Sequence, residues 1–240
     1  METECLRQGR LGVVRLNRPH ALNALAPSQF LTIHRQLAAW AADDQIGAVL
    51  LEGAGDRAFC AGGDIRAVWD ARGRGDDALN RQLFRDEYCL DRFIHHYPKP
   101  IVSLLDGIVM GGGAGISING GFRVATERSI FAMPETAIGF FPDVGASYFL
   151  SRCPGAIGLY LGLTGARLRA ADMIWTGLAT HFVPADCLDT LKQALILAAD
   201  AARPWDAIAA TLAEAHGEPG YASLSSLVDA INRCFSHDDV

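Results

Sequence analysis

Two rhythms of apolar residues alternate along the chain. Leu11–Leu16 (LGVVRL), Ile46–Leu51 (IGAVLL) and Ile101–Leu105 (IVSLL) are short, nearly continuous apolar runs, the pattern of parallel strands buried on both faces. The first stops at Asn17–His20 (NRPH), where proline removes a donor and fixes φ, and the second at Glu52–Asp56 (EGAGD). Between them Pro27–Ala42 places Phe30, Leu31, Ile33, Leu37 and Ala38 at helical spacing. Asp76–His96 reads as a second helix, ending at Tyr97–Pro100 (YPKP), and Gly111–Asn119 as a buried one, followed by a strand near Phe122–Ala125. From Asp143 to Ala171 the pattern predicts short helices broken at Pro154 and Gly165, and then helices over Pro184–Ala202, Trp205–Ala215 and Tyr221–Phe235. Strands alternating with helices predict an α/β fold whose parallel sheet is reached by crossovers, with a boundary near Pro184 where helices alone follow.

Two glycine-rich turns interrupt this alternation, Ala58–Ile65 (AFCAGGDI) and Met110–Gly115 (MGGGAG). Glycine has no Cβ and reaches φ > 0 freely, so neither turn obstructs its own backbone N–H groups. The second lies between a strand and an apolar helix, where orphan donors and the positive dipole end favour an anionic oxygen. Two such turns converging on one point can supply two fixed donors to a developing oxyanion. Other glycine motifs are excluded. No reading of the second turn puts a glycine at the last position of G-x-G-x-x-G, no GK[ST] occurs, and Gly115–Asn119 (GISIN) lacks the closing glycine of a nucleophile elbow.

Half of the 240 residues are hydrophobic, enough for a sizeable core, and the net charge of −6 disfavours a nucleic-acid partner. Phosphate contacts must therefore come from local arginines. Six scattered cysteines without a CxxC pair, and seven histidines without metal spacing, argue against a metal site and a disulfide framework. His95–His96 reads as a plain helix end. The N-terminus carries no signal-peptide pattern and the apolar runs are too short to span a membrane, so the expectation is a soluble, cytoplasmic chain with no membrane partner.

Three acids stand out. Glu135, after Met133 and Pro134, is locally an ordinary helix-start acid; Asp143, after Pro142, is locally an ordinary N-cap; Glu87 in Asp86–Cys89 (DEYC) is locally a solvated helix-face residue. Asp64 reads as a cap for the helical turn that follows it.

The two glycine turns together resemble the signature of the crotonase (enoyl-CoA hydratase/isomerase) superfamily. Met133–Gly145 (MPETAIGFFPDVG) narrows the resemblance to the 3-hydroxyisobutyryl-CoA hydrolase branch. Supporting segments are Leu16–Leu25 (LNRPHALNAL), Pro98–Ile101 (PKPI), Phe122–Thr126 (FRVAT), Leu163–Leu168 (LTGARL) and Gly177–Val183 (GLATHFV), so the resemblance is dense over residues 11–184. It implies a crotonase-type spiral of ββα units with a helical C-terminal region, and hydrolysis of a short 3-hydroxyacyl-CoA thioester. Carried over residue by residue, the oxyanion donors are Gly63 and Gly112, the catalytic acids are Glu135 and Asp143, and Glu87, Gly62 and Gly111 line the substrate pocket. No cofactor is implied, because coenzyme A arrives with the substrate, and a homo-oligomer, trimer or hexamer, is common in the superfamily.

Three departures qualify the resemblance. Hydratases of the superfamily carry a second catalytic glutamate where this chain has Gly115, which favours hydrolysis over hydration. Ala146 and Ser147 stand where the branch has further glycine, and their side chains are expected to narrow the pocket. Members of the branch continue well past the helix ending near Phe235, so residues 1–184 are expected to form the core and residues 185–240 an incomplete helical region. Two alternatives remain open: another crotonase reaction with Glu135 as single base, and an acyl-CoA-binding paralogue without catalysis.

Overall fold

The apolar runs assemble into two sheets, and the chain passes from one to the other three times. The computed structural model describes residues 1–236; the last four residues of the expected C-terminal region lie outside the described residues. A hairpin of β1 (Thr3–Gln8) and β2 (Leu11–Leu16), turned at Gly9, opens the fold. Helix α1 (Pro27–Ala42) follows, and then β3 (Ala48–Gly53) leads into the short β4 (Ala58–Cys60). Two helices, α2 (Ile65–Gly73) and α3 (Asp77–His95), return the chain to β5 (Ile101–Leu105), which leads into β6 (Ile108–Met110). Helix α4 (Gly112–Ile118) then returns it to β7 (Phe122–Ala125), which leads into β8 (Ile130–Ala132). Short helices α5 (Ala146–Phe149), α6 (Ile157–Thr164) and α7 (Ala170–Trp175) precede β9 (His181–Phe182). The large sheet has the order β1-β2-β3-β5-β7-β9 and the small one β4-β6-β8, parallel throughout except for the first hairpin. This is the expected spiral of ββα units.

The strands of the large sheet are continuously apolar because both faces are covered. Val14, Leu16, Val49, Leu51, Ile101 and Leu105 point into the main core with α1, α3 and the small sheet. Their neighbours Leu11, Val13, Ala48, Leu50, Val102, Leu104 and Val124 point the other way, into a second core. That outer face is closed by α8 (Leu188–Ala199) and α9 (Pro204–Ala215) through Leu191, Leu195, Ile208 and Leu212. The C-terminal helices thus cover the sheet of the preceding core.

Four differences from the sequence reading have local causes. Strand β1 was not expected: it is an edge strand with three exposed residues of six and no apolar run. Strands β4, β6 and β8 have three residues each and carry no readable period. Helix α2 buries only Ala71, so it lacks an apolar stripe. The helix expected over Tyr221–Phe235 is divided into a turn at Ser223–Ser226 and α10 (Val228–Phe235), because the Asp172 carboxylate accepts hydrogen bonds from Ser223 Oγ and Leu224 N–H, both at 2.8 Å. Among the described residues no helix is long and apolar enough to cross a membrane.

Candidate active site

The small sheet positions the site. Its three parallel strands lie side by side, so their C-terminal ends open onto one place, and each runs directly into a segment singled out in the sequence. Strand β4 delivers Gly62 and Gly63, β6 delivers Gly111 and Gly112, and β8 delivers Glu135. Ligands of parallel sheets generally bind at this end of the strands. Gly62, Gly63, Glu87, Gly111, Gly112, Glu135 and Asp143 all line one cavity of about 570 Å³. Its other walls are mostly apolar, including Val68, Trp69, Leu83, Phe84 and Phe140, and Arg72 is the single cation among them.

The two glycine turns touch. A methyl group built on Gly112 would lie 3.2 Å from Gly63 N, and one built on Gly62 would lie 3.5 Å from Gly112 N. Gly63 pairs with Leu25 in a parallel bridge in which Leu25 N–H donates to Gly62 O and Asp64 N–H donates to Leu25 O. In that pattern the N–H of Gly63 itself points to the opposite side. Gly112 N–H opens α4, where no intrahelical acceptor exists. Among the described residues neither amide donates a hydrogen bond elsewhere. Gly111 reaches this geometry at φ +50°, with Ala114 N–H and Gly115 N–H closing the turn on its carbonyl at 2.8 and 3.1 Å.

The acids surround these amides. A methyl on Gly111 would lie 3.2 Å from Glu135 Oε1, and one on Gly112 would collide with Glu87 Oε1. Glu135 begins a single 3-10 turn, Glu135–Ile138, which Gly139 ends at φ +73°. That left-handed residue folds the chain back, and Phe140 N–H closes the reversal on Glu135 O at 3.1 Å. The reversal brings Asp143, eight positions on, to the same cavity. Tyr88 O–H then donates to Asp143 Oδ2 at 2.6 Å.

Electrostatics follow from burial. Glu87 is 4 % exposed and Glu135 8 %. Burial, with a smaller repulsion from Asp143, raises Glu135 to about 7, against an ionised-form preference from its own backbone amide. Burial, then the charges of Asp143 and Glu135, raises Glu87 to about 8. Asp143 is raised by burial, with the Tyr88 hydrogen bond opposing. Acids whose ionisation is moved toward neutrality in a cleft suit proton transfer at ordinary pH. Cys60, in the first glycine motif, is fully buried and pushed up to about 12, which leaves it an inert thiol.

Glu87 provides a direct check on this burial. Its carboxyl binds a proton more tightly when folded than when unfolded, so its contribution to stability is complete below about pH 4.5 and is lost as pH rises through about 8. Glu87→Gln removes that dependence. Relative to wild type, the variant is expected to gain on the order of a few kcal/mol between pH 5 and pH 8, read from denaturant unfolding at both values. Equal pH slopes for the two proteins would show that Glu87 ionises freely in the folded state.

Other residues fall outside the cavity. Asp64 caps α2, accepting from Ala67 N–H at 3.2 Å, and is paired with Arg18 at 2.9 Å. Burial opposes its ionisation, but the Arg18 hydrogen bond prevails and holds its carboxyl below the usual range. The expectation that Ala146 and Ser147 narrow the pocket is corrected. Ala146 packs in the main core and Ser147 lines a neighbouring cavity, because α5 turns away after Gly145. One group was not singled out, the Asp91 carboxyl. Asp91 stands one helical turn after Glu87 on the buried face of α3, and that i, i+4 spacing is the signal that could have found it.

Two free backbone amides at the ends of parallel strands, beside buried acids in an apolar cavity, define the site of a crotonase-fold protein. Residues 11–240 match the enoyl-CoA hydratase/isomerase family, and the chain belongs to it. It is 53 % identical over 195 residues to a mitochondrial 3-hydroxyisobutyryl-CoA hydrolase of Xenopus tropicalis, covering 80 % of this chain and 50 % of that protein. With the Danio rerio protein of the same name it is 45 % identical, covering 97 % and 61 %. Among solved structures it resembles one titled a carnitinyl-CoA dehydratase from Mycobacterium thermoresistibile (TM-score 0.92, 43 % identity, 100 % of this chain and 68 % of that one). A second is titled an enoyl-CoA hydratase from Rhodobacter sphaeroides 2.4.1 (TM-score 0.89, 38 % identity, 99 % and 67 %). The chain spans about half to three-fifths of the length of these curated relatives.

Proposed function

We propose that the chain hydrolyses a short 3-hydroxyacyl-CoA thioester, 3-hydroxyisobutyryl-CoA or a close analogue, to the free acid and coenzyme A. The observation that carries this reading is the pair of unengaged amides of Gly63 and Gly112 beside Glu135, with no side chain at position 115. The thioester carbonyl oxygen accepts from both amides, which polarises the carbonyl and stabilises the oxyanion formed on attack. Glu135 attacks the acyl carbon or takes the proton of an attacking water. Asp143, oriented by Tyr88, steadies that group and handles the proton. The leaving thiolate has a conjugate acid near pKa ~8.5 and needs little acid assistance. Arg72 is the group available for a phosphate of the coenzyme. The printed names of the curated relatives support the acyl class. The same reading includes no resident cofactor and a homo-oligomeric assembly, trimer or hexamer. The relatives are named as mitochondrial, whereas the sequence pointed to the cytoplasm; cell fractionation separates the two.

The solved relatives titled hydratase and dehydratase favour a second reading, hydration or isomerisation of an enoyl thioester with Glu135 as single base. A panel of short 3-hydroxyacyl-CoA and enoyl-CoA thioesters distinguishes them. Thiol release from the hydroxyacyl members is the expected result; loss of the enoyl chromophore without thiol would select the second reading.

A further inference from the structure

Helix α3 presents two acids to α4, and each stands opposite a glycine. Glu87 fills the place of a side chain at Gly112, and Asp91, four residues on, fills the place of one at Gly115. A methyl group on Gly115 would lie 2.8 Å from both Asp91 carboxyl oxygens and 2.7 Å from Val144 Cβ. Asp91 is 5 % exposed, and neither of its oxygens has a hydrogen-bond partner in the protein. A buried carboxyl in that condition is costly unless it holds a proton and meets a polar ligand. Burial, then the charges of Glu87 and Asp143, keeps it protonated well above the usual carboxylate range.

The second observation is spatial. Asp91 lines a cavity of about 470 Å³ distinct from the one described above, together with Tyr88, His95, Asn119 and Asp143. Asp143 alone among the acids lines both cavities. Hydrolysis of a thioester gives the second cavity something to do. Water oxygen bonds to the acyl carbon, the C–S bond breaks, and sulfur leaves with the electron pair and takes one of the water protons. The acid product ionises at neutral pH, so one proton must leave the site in each turnover. While an acyl-CoA fills the first cavity, that side is blocked.

Resting on the hydrolase reading above, we propose that Asp91 is a positioning residue that relays protons between Asp143 and solvent in the second cavity. The carboxyl passes its proton outward and is reprotonated from the Asp143 side, so it ends each turnover as it began. Apart from Asp143 and its hydrogen-bonded Tyr88, the titratable groups around it are Glu87 on α3 and, along the same cavity, Arg92 and His95 on α3, His96 just past its end and Tyr148 on α5; the α4 side contributes Gly115 and, just past the helix, Asn119.

Thiol release from 3-hydroxyisobutyryl-CoA by the full chain, its Asp91→Asn variant and its Asp91→Ala variant tests the relay. Both variants are expected to lose about a hundredfold in kcat, the low end for a proton-transfer group, with KM within about twofold. Sodium formate, a small carboxylic acid that the second cavity can admit, is expected to restore Asp91→Ala but not Asp91→Asn, whose amide still fills the place. Wild-type kcat in Asp91→Asn would overturn the relay, as would a folded but impaired Asp91→Ala that formate leaves unchanged. A wild-type chain that releases no thiol from any panel member would instead overturn the hydrolase reading, and the relay with it.

Discussion

Glu135→Gln is expected to lower kcat for thiol release by roughly 10²–10⁴-fold, the range for loss of a positioned acid–base group, with acyl-CoA binding retained. Glutamine keeps the length and volume of the side chain, so the 3-10 turn and the Gly139 reversal have no reason to change. What it removes is the charge. Glu135 Oε2 is buried without a partner, and Oε1 faces the Gly111 backbone, so among the described residues no other side chain anchors this carboxyl for a structural purpose. The same reasoning fixes the pH dependence of the wild type. A base or nucleophile acts in its ionised form, so kcat should rise with pH through about 7 rather than through the ordinary glutamate range. A stopped thiol assay across pH, with isothermal titration of the variant, reads both. Turnover by Glu135→Gln near the wild-type rate would remove Glu135 from the chemistry. Single-turnover hydrolysis in heavy-oxygen water goes further: label in the Glu135 carboxylate means covalent attack, and label only in the product means activated water.

Gly112→Ala is expected to cost roughly 10²–10³-fold in kcat, the measured scale for losing one oxyanion donor. Its new methyl would collide with Glu87 Oε1 and lie 3.2 Å from Gly63 N. Relief requires α4 to retreat or Glu87 to swing away, and either displaces one of the two amides from the point they share. Because α4 is buried along its whole length, part of the strain also appears as lost stability. Thermal melts beside kinetics separate the two effects. A variant that melts lower but turns over normally at low temperature would mean that the donor geometry does not matter to this reaction.

Both predictions concern groups that were legible before any coordinates. The large-sheet strands were readable because both faces are apolar, and the bounds of Pro27–Ala42, Ile101–Leu105 and Phe122–Ala125 coincide with α1, β5 and β7. Gly63, Gly112, Glu135 and Asp143 stand in dense local motifs, so their identity needed no fold. Their assembly did. The three-residue strands that aim them at one point have no pattern of their own, since a strand that short is held by partners about 50 and 22 residues away along the chain.

Composition and period thus determined the α/β class with its parallel sheet, and the family resemblance carried by the local motifs implied the spiral of units and the principal residues around the cavity, because each of those signals is written in neighbouring residues. Only the tertiary structure decided which amides are unengaged, how Tyr88 reaches Asp143 across 55 positions, and that Asp91 occupies the notch left by Gly115. Those depend on two helices and a reversed loop packing against one another, and the free energy of such contacts belongs to pairs of residues that the chain itself keeps far apart.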